Sequence, residues 1–215
     1  GNGEIITKTI QIANFNGIDL QGTDNIVISQ GSNQQIIAIG HSNIISKLKT
    51  SVLNNIWEVG LENGNYHNYE LTIYITTPNI KNLYISGSGD IKVNDFYNQN
   101  NLNLKISGSG QINLNKIEGL TNLNAKISGS GGVFVSKKTN VLQELEISIS
   151  GSGSFDGFNV ITKNCTIKNS GSGFTKTTIN SQLNVSSSGS GNIYFKGSPT
   201  INKSISGSGR IIDSN

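Results

Sequence analysis

The chain has 215 residues and a formal net charge of +3, with one Cys, two Pro and no Met. Its apolar residues are mainly Ile, at 32 copies, and they are mixed with 31 Asn, 28 Ser and 26 Gly. Because Ile favours pleated strands while Asn and Gly favour turns, this composition predicts an all-β protein and excludes a helical one.

The basic residues are scattered along the chain. Their densest cluster, Lys137-Lys138, is typical of a solvated turn, so the sequence predicts no nucleic-acid partner. No stretch approaches the roughly 18 apolar residues of a membrane helix, and no membrane span is expected. The single Cys165 has no partner for an internal disulfide. Its neighbours at even spacing, Ile161 and Ile167, place it among inward-facing apolar residues.

Residues 1–85 contain strand-like segments divided by turn signals at Asn16-Gly17, 31–33 and Asn63-Gly64. The candidate strands are Ile5–Ile12, Asn25–Ser29, Gln35–Ile39, Ile56–Leu61 and Tyr69–Thr76. We expect this strand-rich segment to be an N-terminal cap or a set of irregular first coils, with Trp57 in its core.

The tetrapeptide Ser-Gly-Ser-Gly recurs seven times in residues 86–215, at spacings of 21, 21, 22, 20, 18 and 18 residues. Its copies begin at Ser86, Ser107, Ser128, Ser150, Ser170, Ser188 and Ser206. Alternating apolar residues precede most copies, as in Leu83-Tyr84-Ile85, and an apolar residue such as Ile91 follows. A period of about 20 residues matches one coil of a solenoid. We therefore predict that residues 86–215 form a right-handed parallel β-helix or β-solenoid-like repeat.

The paired glycines of the repeat are predicted to be structural, at a bend or corner of each coil. Gly leaves room for the close approach of another layer and adopts positive φ where a corner requires it. The residues concerned are Gly87, Gly89, Gly108, Gly110, Gly129, Gly131, Gly151, Gly153, Gly171, Gly173, Gly189, Gly191, Gly207 and Gly209. The serines of the tetrapeptides are expected to face solvent and to form ladders along the axis.

The motif Ile-Ser-Gly-Ser-Gly-x-Ile, together with Phe15–Ile18, Asn25–Gly31 and Leu71–Ile80, resembles the putative auto-transporter adhesin head GIN domain, a family found largely in Bacteroidetes. The resemblance covers residues 10–212. It implies a β-helix-like fold, export to the cell surface, outer membrane or periplasm of a Gram-negative bacterium, and an adhesive role. It brings no catalytic residues. The start Gly1-Asn2-Gly3 is consistent with the loss of a leader.

Residues suited to catalysis or metal binding are few. The position directly after each tetrapeptide is an acid in only one copy, at Asp90. Two further acids, Glu144 and Glu146, share the solvent-facing side of one strand. The histidines, His41 and His67, are distant in sequence. Carbohydrate-active β-helix enzymes and metal solenoids need clustered or regularly repeated acids. We therefore predict no catalytic residue, no metal site and no cofactor.

Three classes of function stay open, and an exported surface scaffold or adhesin-like module without catalytic activity is favoured. The alternative is a glycan-binding module, with Tyr66, His67 and Tyr69 as candidate ligand-binding residues, because aromatic rings stack on sugars. A carbohydrate-active β-helix enzyme is the third class. The expected partners are a glycan, a host or matrix protein, or a second copy of the chain, since no cap follows Ile212.

Overall fold

The computed structural model describes residues 1–215 and contains one 19-stranded sheet with a single short helix, α1 (Ser42–Ile45). The strands are β1 (Ile5–Ile10), β2 (Gly17–Leu20), β3 (Asn25–Gln30), β4 (Gln35–His41), β5 (Val52–Leu53), β6 (Ile56–Val59), β7 (Leu71–Thr77), β8 (Asn82–Ile85), β9 (Ile91–Val93), β10 (Asn101–Ile106), β11 (Gln111–Leu114), β12 (Asn122–Ile127), β13 (Gly132–Val135), β14 (Val141–Ile149), β15 (Ser154–Asn169), β16 (Thr175–Ser187), β17 (Ile193–Lys196), β18 (Thr200–Ile205) and β19 (Ile211–Asp213). The only helix, α1, is far too short to span a membrane.

The repeats form two parallel ladders that run side by side along the molecule. The first ladder contains β6, β2, β8, β10, β12, β14, the C-terminal parts of β15 and β16, and β18. The second contains β7, β3, β9, β11, β13, the N-terminal parts of β15 and β16, β17 and β19. Each repeat supplies one strand to each ladder. The fold is therefore an all-β solenoid of about six turns, which confirms the predicted fold class.

Register places equivalent residues of successive repeats directly above one another. Ile85, Ile106, Ile127 and Ile149 form one such column, and each is at most 1% exposed. Side chains alternate between the core and solvent along strands such as β10, because successive residues of a strand point to opposite faces. The result is one continuous apolar core that runs through the stack.

The Ser-Gly-Ser-Gly segments form the corner between the two ladders, and they touch the preceding coil. A Cβ atom added to Gly108 would lie 1.7 Å from the carbonyl oxygen of Gly87, and one added to Gly173 would lie 1.6 Å from that of Gly153. None of the repeat glycines has positive φ. Gly is therefore required here because the coils approach closely, and the corner uses ordinary backbone conformations.

Residues 1–85 join the solenoid and also close its first end. β2 and β3 pair in parallel with β8 and β9, so that Leu20 lies opposite Ile85 and Ile26 opposite Ile91. β4 pairs antiparallel with both β1 and β7, and β5 pairs antiparallel with β6. Residues 17–30 thus belong to the same ladders as the repeats, and the domain boundary at residue 85 stays a prediction.

Two sequence predictions concern buried side chains. Trp57 lies in the core at the first end, where its Nε1 donates a hydrogen bond to the Lys49 carbonyl oxygen at 3.0 Å and its ring lies 5.6 Å from that of Phe15. Cys165 is fully buried in the column between Leu145 and Leu183, and burial raises the pKa of its thiol. Both residues therefore contribute to packing, as expected.

Candidate functional site

The corner of the first coil differs in sequence from all the others. Residues 21–24, Gln-Gly-Thr-Asp, take the place that Ser-Gly-Ser-Gly takes in the repeats. The N–H groups of Ser88 and Gly89 both donate to the Gly22 carbonyl oxygen at 3.0 Å. This register places Asp24 directly below Gly89, in a column that otherwise contains only glycine.

A side chain fits at Asp24 because no coil covers this corner. β6 pairs with β2 only as far as Val59, and the chain then leaves the ladder at Gly60 to form the loop 61–70. The space between residues 21–24 and this loop is a cavity of about 520 Å³, called the corner pit below.

Two tyrosines of the loop line the corner pit. The rings of Tyr66 and Tyr69 meet edge to face, with centroids 6.4 Å apart and an interplanar angle of 79°. The Tyr66 hydroxyl donates to the Glu62 carbonyl oxygen at 2.9 Å, which fixes the ring against its own loop. Desolvation raises the pKa of Tyr69, and Asp24 raises it further, whereas hydrogen bonding to Thr23 opposes the shift.

Asp24 is the buried acid of the corner pit. Asp24 is only 4% exposed, and its Oδ2 atom has no hydrogen-bond partner. Burial raises the pKa of this carboxyl group, and hydrogen bonding with the Tyr69 side chain opposes part of the rise. A buried oxygen without a donor destabilises the fold, whereas a bound ligand with a hydroxyl group could satisfy it.

The other acid of the corner pit, Glu62, is exposed and forms an ion pair. Glu62 is exposed on the rim, and its Oε2 atom forms an ion pair with Lys47 Nζ at 3.2 Å. The amide side chains of Asn63 and Asn65 line the same rim. The corner pit thus combines one buried acceptor, two aromatic rings and several exposed polar groups, which is the chemistry of a site for a polyhydroxylated ligand.

The structure brings together the three candidate residues that sequence patterns pointed to. Tyr66, His67 and Tyr69 all line the corner pit. The other histidine, His41, is the last residue of β4, and its Nδ1 atom accepts a hydrogen bond from the N–H of Glu70, the last residue of the loop, at 3.0 Å. Their role in ligand binding stays a prediction.

Sequence reasoning missed Asp24 and Thr23. Their signal was present but faint, because Gln21-Gly22-Thr23-Asp24 shares only one glycine with the repeated tetrapeptide. Aligning Leu20 with Ile85 would have placed Asp24 in the column of the second glycines and marked it as unusual.

Solved structures share this architecture. A putative adhesin from Bacteroides fragilis aligns over 99% of this chain and 98% of its own, with a TM-score of 0.90 and 24% identity. A putative adhesin from Parabacteroides merdae aligns over 100% and 98%, with a TM-score of 0.72 and 21% identity. A putative lipid binding protein from Parabacteroides distasonis also aligns over 100% and 98%, with a TM-score of 0.76 and 23% identity. These likenesses show the fold.

No curated protein matches the sequence. The family described as "Putative auto-transporter adhesin, head GIN domain" matches residues 14–199, which include the corner pit and six of the seven Ser-Gly-Ser-Gly corners. The chain therefore belongs to the family of putative auto-transporter adhesin head GIN domains.

Proposed function

We propose that the chain is a non-catalytic recognition module of an exported adhesin-like protein, and that the corner pit binds a sugar residue of a glycan. The observation that carries this proposal is the buried carboxyl group of Asp24, whose Oδ2 atom has no hydrogen-bond partner and which lines the same cavity as Tyr66 and Tyr69. Family membership supports the adhesive role and the location at the cell surface.

Sugar chemistry suits each part of the corner pit. A pyranose ring presents C–H groups on its faces, which pack on the rings of Tyr66 and Tyr69. It presents hydroxyl groups at its edge, which donate to the carboxylate of Asp24 and bond to the amides of Asn63 and Asn65. The name of the Parabacteroides distasonis protein raises a lipid as another ligand. The amides and the buried carboxylate favour a sugar, because an acyl chain offers them no hydrogen bond.

The same residues argue against glycoside hydrolysis. Hydrolysis needs two carboxyl groups on opposite sides of the scissile bond, one of them acting as a base or nucleophile. In the corner pit only Asp24 is buried, and Glu62 is paired with Lys47 on the exposed rim. The arrangement supports binding without turnover.

Screening on an array of immobilised oligosaccharides tests the proposal. We expect specific binding that Tyr69→Ala weakens by about tenfold or more, because aromatic anchors carry much of the free energy of such contacts. Tyr74→Ala is the matched control, since Tyr74 is 43% exposed on β7 and lies outside the corner pit. Asp24→Asn provides a second variant with nearly unchanged shape.

The outcomes separate the alternatives. Equal loss of binding in the Tyr69 and Tyr74 variants, or unchanged binding in both corner-pit variants, would overturn the assignment of this site. Release of new reducing ends from a bound oligosaccharide, abolished by Asp24→Asn, would show an enzyme and contradict the non-catalytic role.

A further inference from the structure

Lysines from separate repeats form a column on the outer face of the first ladder. Lys105 lies opposite Lys126, Lys126 opposite Ser148, and Ser148 opposite Lys168. The next member of the column is Ser186. All of these positions lie two residues before the first serine of a tetrapeptide, so the spacing of the repeats creates the column.

The lysines of this column have no acidic partner. The four ion pairs of the protein involve Lys47, Lys116, Lys137 and Lys176. Lys105, Lys126 and Lys168 are exposed and unpaired, and the first two lie directly beside each other in register. Like charges opposite one another in a sheet destabilise it. Positive charge has thus been concentrated on this face at a cost in folding free energy.

The column is one wall of a groove, called the lysine groove below. Ser148 and Ser186 are short, so they leave gaps beside Lys168, and the adjacent cavity has a volume of about 480 Å³. The other wall is the ladder of first serines from the corners, including Ser128, Ser150, Ser170 and Ser188. No carboxylate lines the lysine groove.

The acid nearest to Ser148 along β14 is Glu146, and it is hydrogen-bonded to a residue of the adjacent strand. Glu146, two residues before Ser148, lies in the next outward column, where its Oε2 atom accepts a hydrogen bond from Asn124 Nδ2 at 3.0 Å. Glu146 thus lies outside the lining of the lysine groove and forms no ion pair with its lysines.

We propose that the lysine groove binds an acidic polysaccharide that lies across the coils, parallel to the solenoid axis. Coils stack at about 4.8 Å, so Lys126 and Lys168, two coils apart, are separated by about 9.6 Å. In a linear glycan with an acid on alternate sugars, acidic groups recur over a similar distance. The lysines then bind carboxylate or sulfate groups, and the serine hydroxyls bind the sugar hydroxyls between them.

The lining residues favour this partner over a nucleic acid. Proteins that bind single strands combine basic residues with aromatic rings on which the bases stack. The cavity of the lysine groove is lined by serine hydroxyls in that place and by no aromatic side chain, and the one aromatic residue next to it is Tyr84, which lies opposite Lys105 at the end of the column. The lysine groove and the corner pit share no residue, so this proposal is independent of the proposed function.

Binding to heparin, which carries both sulfate and carboxylate groups, and to polygalacturonate, which carries carboxylate alone, tests the proposal, with dextran as the uncharged comparison. The test variant is Lys126→Gln/Lys168→Gln. The matched control is Lys8→Gln/Lys92→Gln, which removes the same charge from exposed lysines of β1 and β9. We expect the test variant to weaken binding of at least one acidic polymer by about fivefold to thirtyfold, and the control to change it by less than about twofold.

Three outcomes would overturn the proposal. They are equal effects of the two double variants, binding of dextran as strong as that of the acidic polymers, and binding of a single-stranded oligonucleotide that is tighter than either acidic polymer. Binding that fades as NaCl rises from about 0.05 M to about 0.5 M supports contacts to charge. Tyr69→Ala distinguishes the two sites, because it removes the glycan contacts of the corner pit and leaves the lysine groove intact.

Discussion

Replacing Gly108 by Ala adds a methyl group to the face of the corner that touches the coil below. The added carbon would lie 1.7 Å from the Gly87 carbonyl oxygen, and ordinary contact begins at twice that distance, 3.4 Å. The coils must therefore separate locally. The bonds at risk are Ser109 N–H to the Gly87 carbonyl, at 3.1 Å, and Ser107 N–H to the Ile85 carbonyl, at 2.8 Å.

The expected cost follows from these contacts. Two backbone hydrogen bonds contribute about 0.5–1.5 kcal/mol each, and forcing extra volume into a packed site costs a further 1–3 kcal/mol or so. Gly108→Ala should lower the free energy of unfolding by about 2–6 kcal/mol. Urea unfolding followed by far-UV circular dichroism measures this as a lower midpoint.

Gly60→Ala is the control for the glycine substitution itself. A Cβ atom at Gly60 would lie 3.5 Å from Gln21 Cβ, in ordinary contact, and Gly60 does not have positive φ. We expect this variant to stay within about 1 kcal/mol of the parent protein. Equal midpoints for Gly108→Ala and Gly60→Ala would refute the argument that close coil stacking requires glycine at the corners.

Three further predictions concern buried polar groups. Because the folded protein raises the pKa of Asp24, it binds more protons than the unfolded chain between about pH 3.9 and that raised pKa. Stability should fall as pH rises through this range, and Asp24→Asn should flatten the profile obtained from unfolding midpoints. Thr175→Val should raise the free energy of unfolding by about 1 kcal/mol, because the Thr175 hydroxyl is buried without a partner. In the same assay Thr177→Val should lower it by a similar amount, because that hydroxyl donates to the Val160 carbonyl oxygen at 3.3 Å. The Cys165 thiol should react with a soluble thiol reagent only as fast as the protein unfolds, and rapid reaction in native buffer would contradict its burial.

The repeat predicted most of the fold, because its spacing and its alternating residues both follow from stacked strands. Ile85 and Ile106 show this directly, since their repeat position alone places them in one inward column. The role of the glycines was harder to predict. Whether Gly108 needs positive φ or a close neighbour depends on a contact with Gly87, which is 21 residues away in sequence.

The sequence did not predict β2 and α1, which lie near the first end of the solenoid, and the reason differs between the two elements. Asn16-Gly17 signals a turn, yet β2 begins at Gly17 because Ile18 and Leu20 pair with both β6 and β8. The helix α1 has only four residues, which is too short for a periodic apolar pattern. Tertiary pairing overrides local preference in the first case, and the second contains no signal to detect.

The two candidate binding surfaces differed in how visible they were. Tyr66 and Tyr69 stand close together in sequence, so their cluster could be noticed without a structure. Lys126 and Lys168 are 42 residues apart, and only the stacking of repeats brings them into one column. A search for runs of basic residues therefore misses the lysine groove, whereas an alignment of the repeats by their tetrapeptides reveals it.

The most direct test of the corner pit measures binding and stability on the same samples of the parent protein and Asp24→Asn, with the strongest glycan from the array as ligand. Asn keeps the shape of the side chain but replaces a buried acid whose Oδ2 atom has no hydrogen-bond partner. We predict that Asp24→Asn binds the glycan at least about tenfold more weakly and unfolds at higher urea concentration at neutral pH. Unchanged binding together with unchanged or lower stability would contradict it.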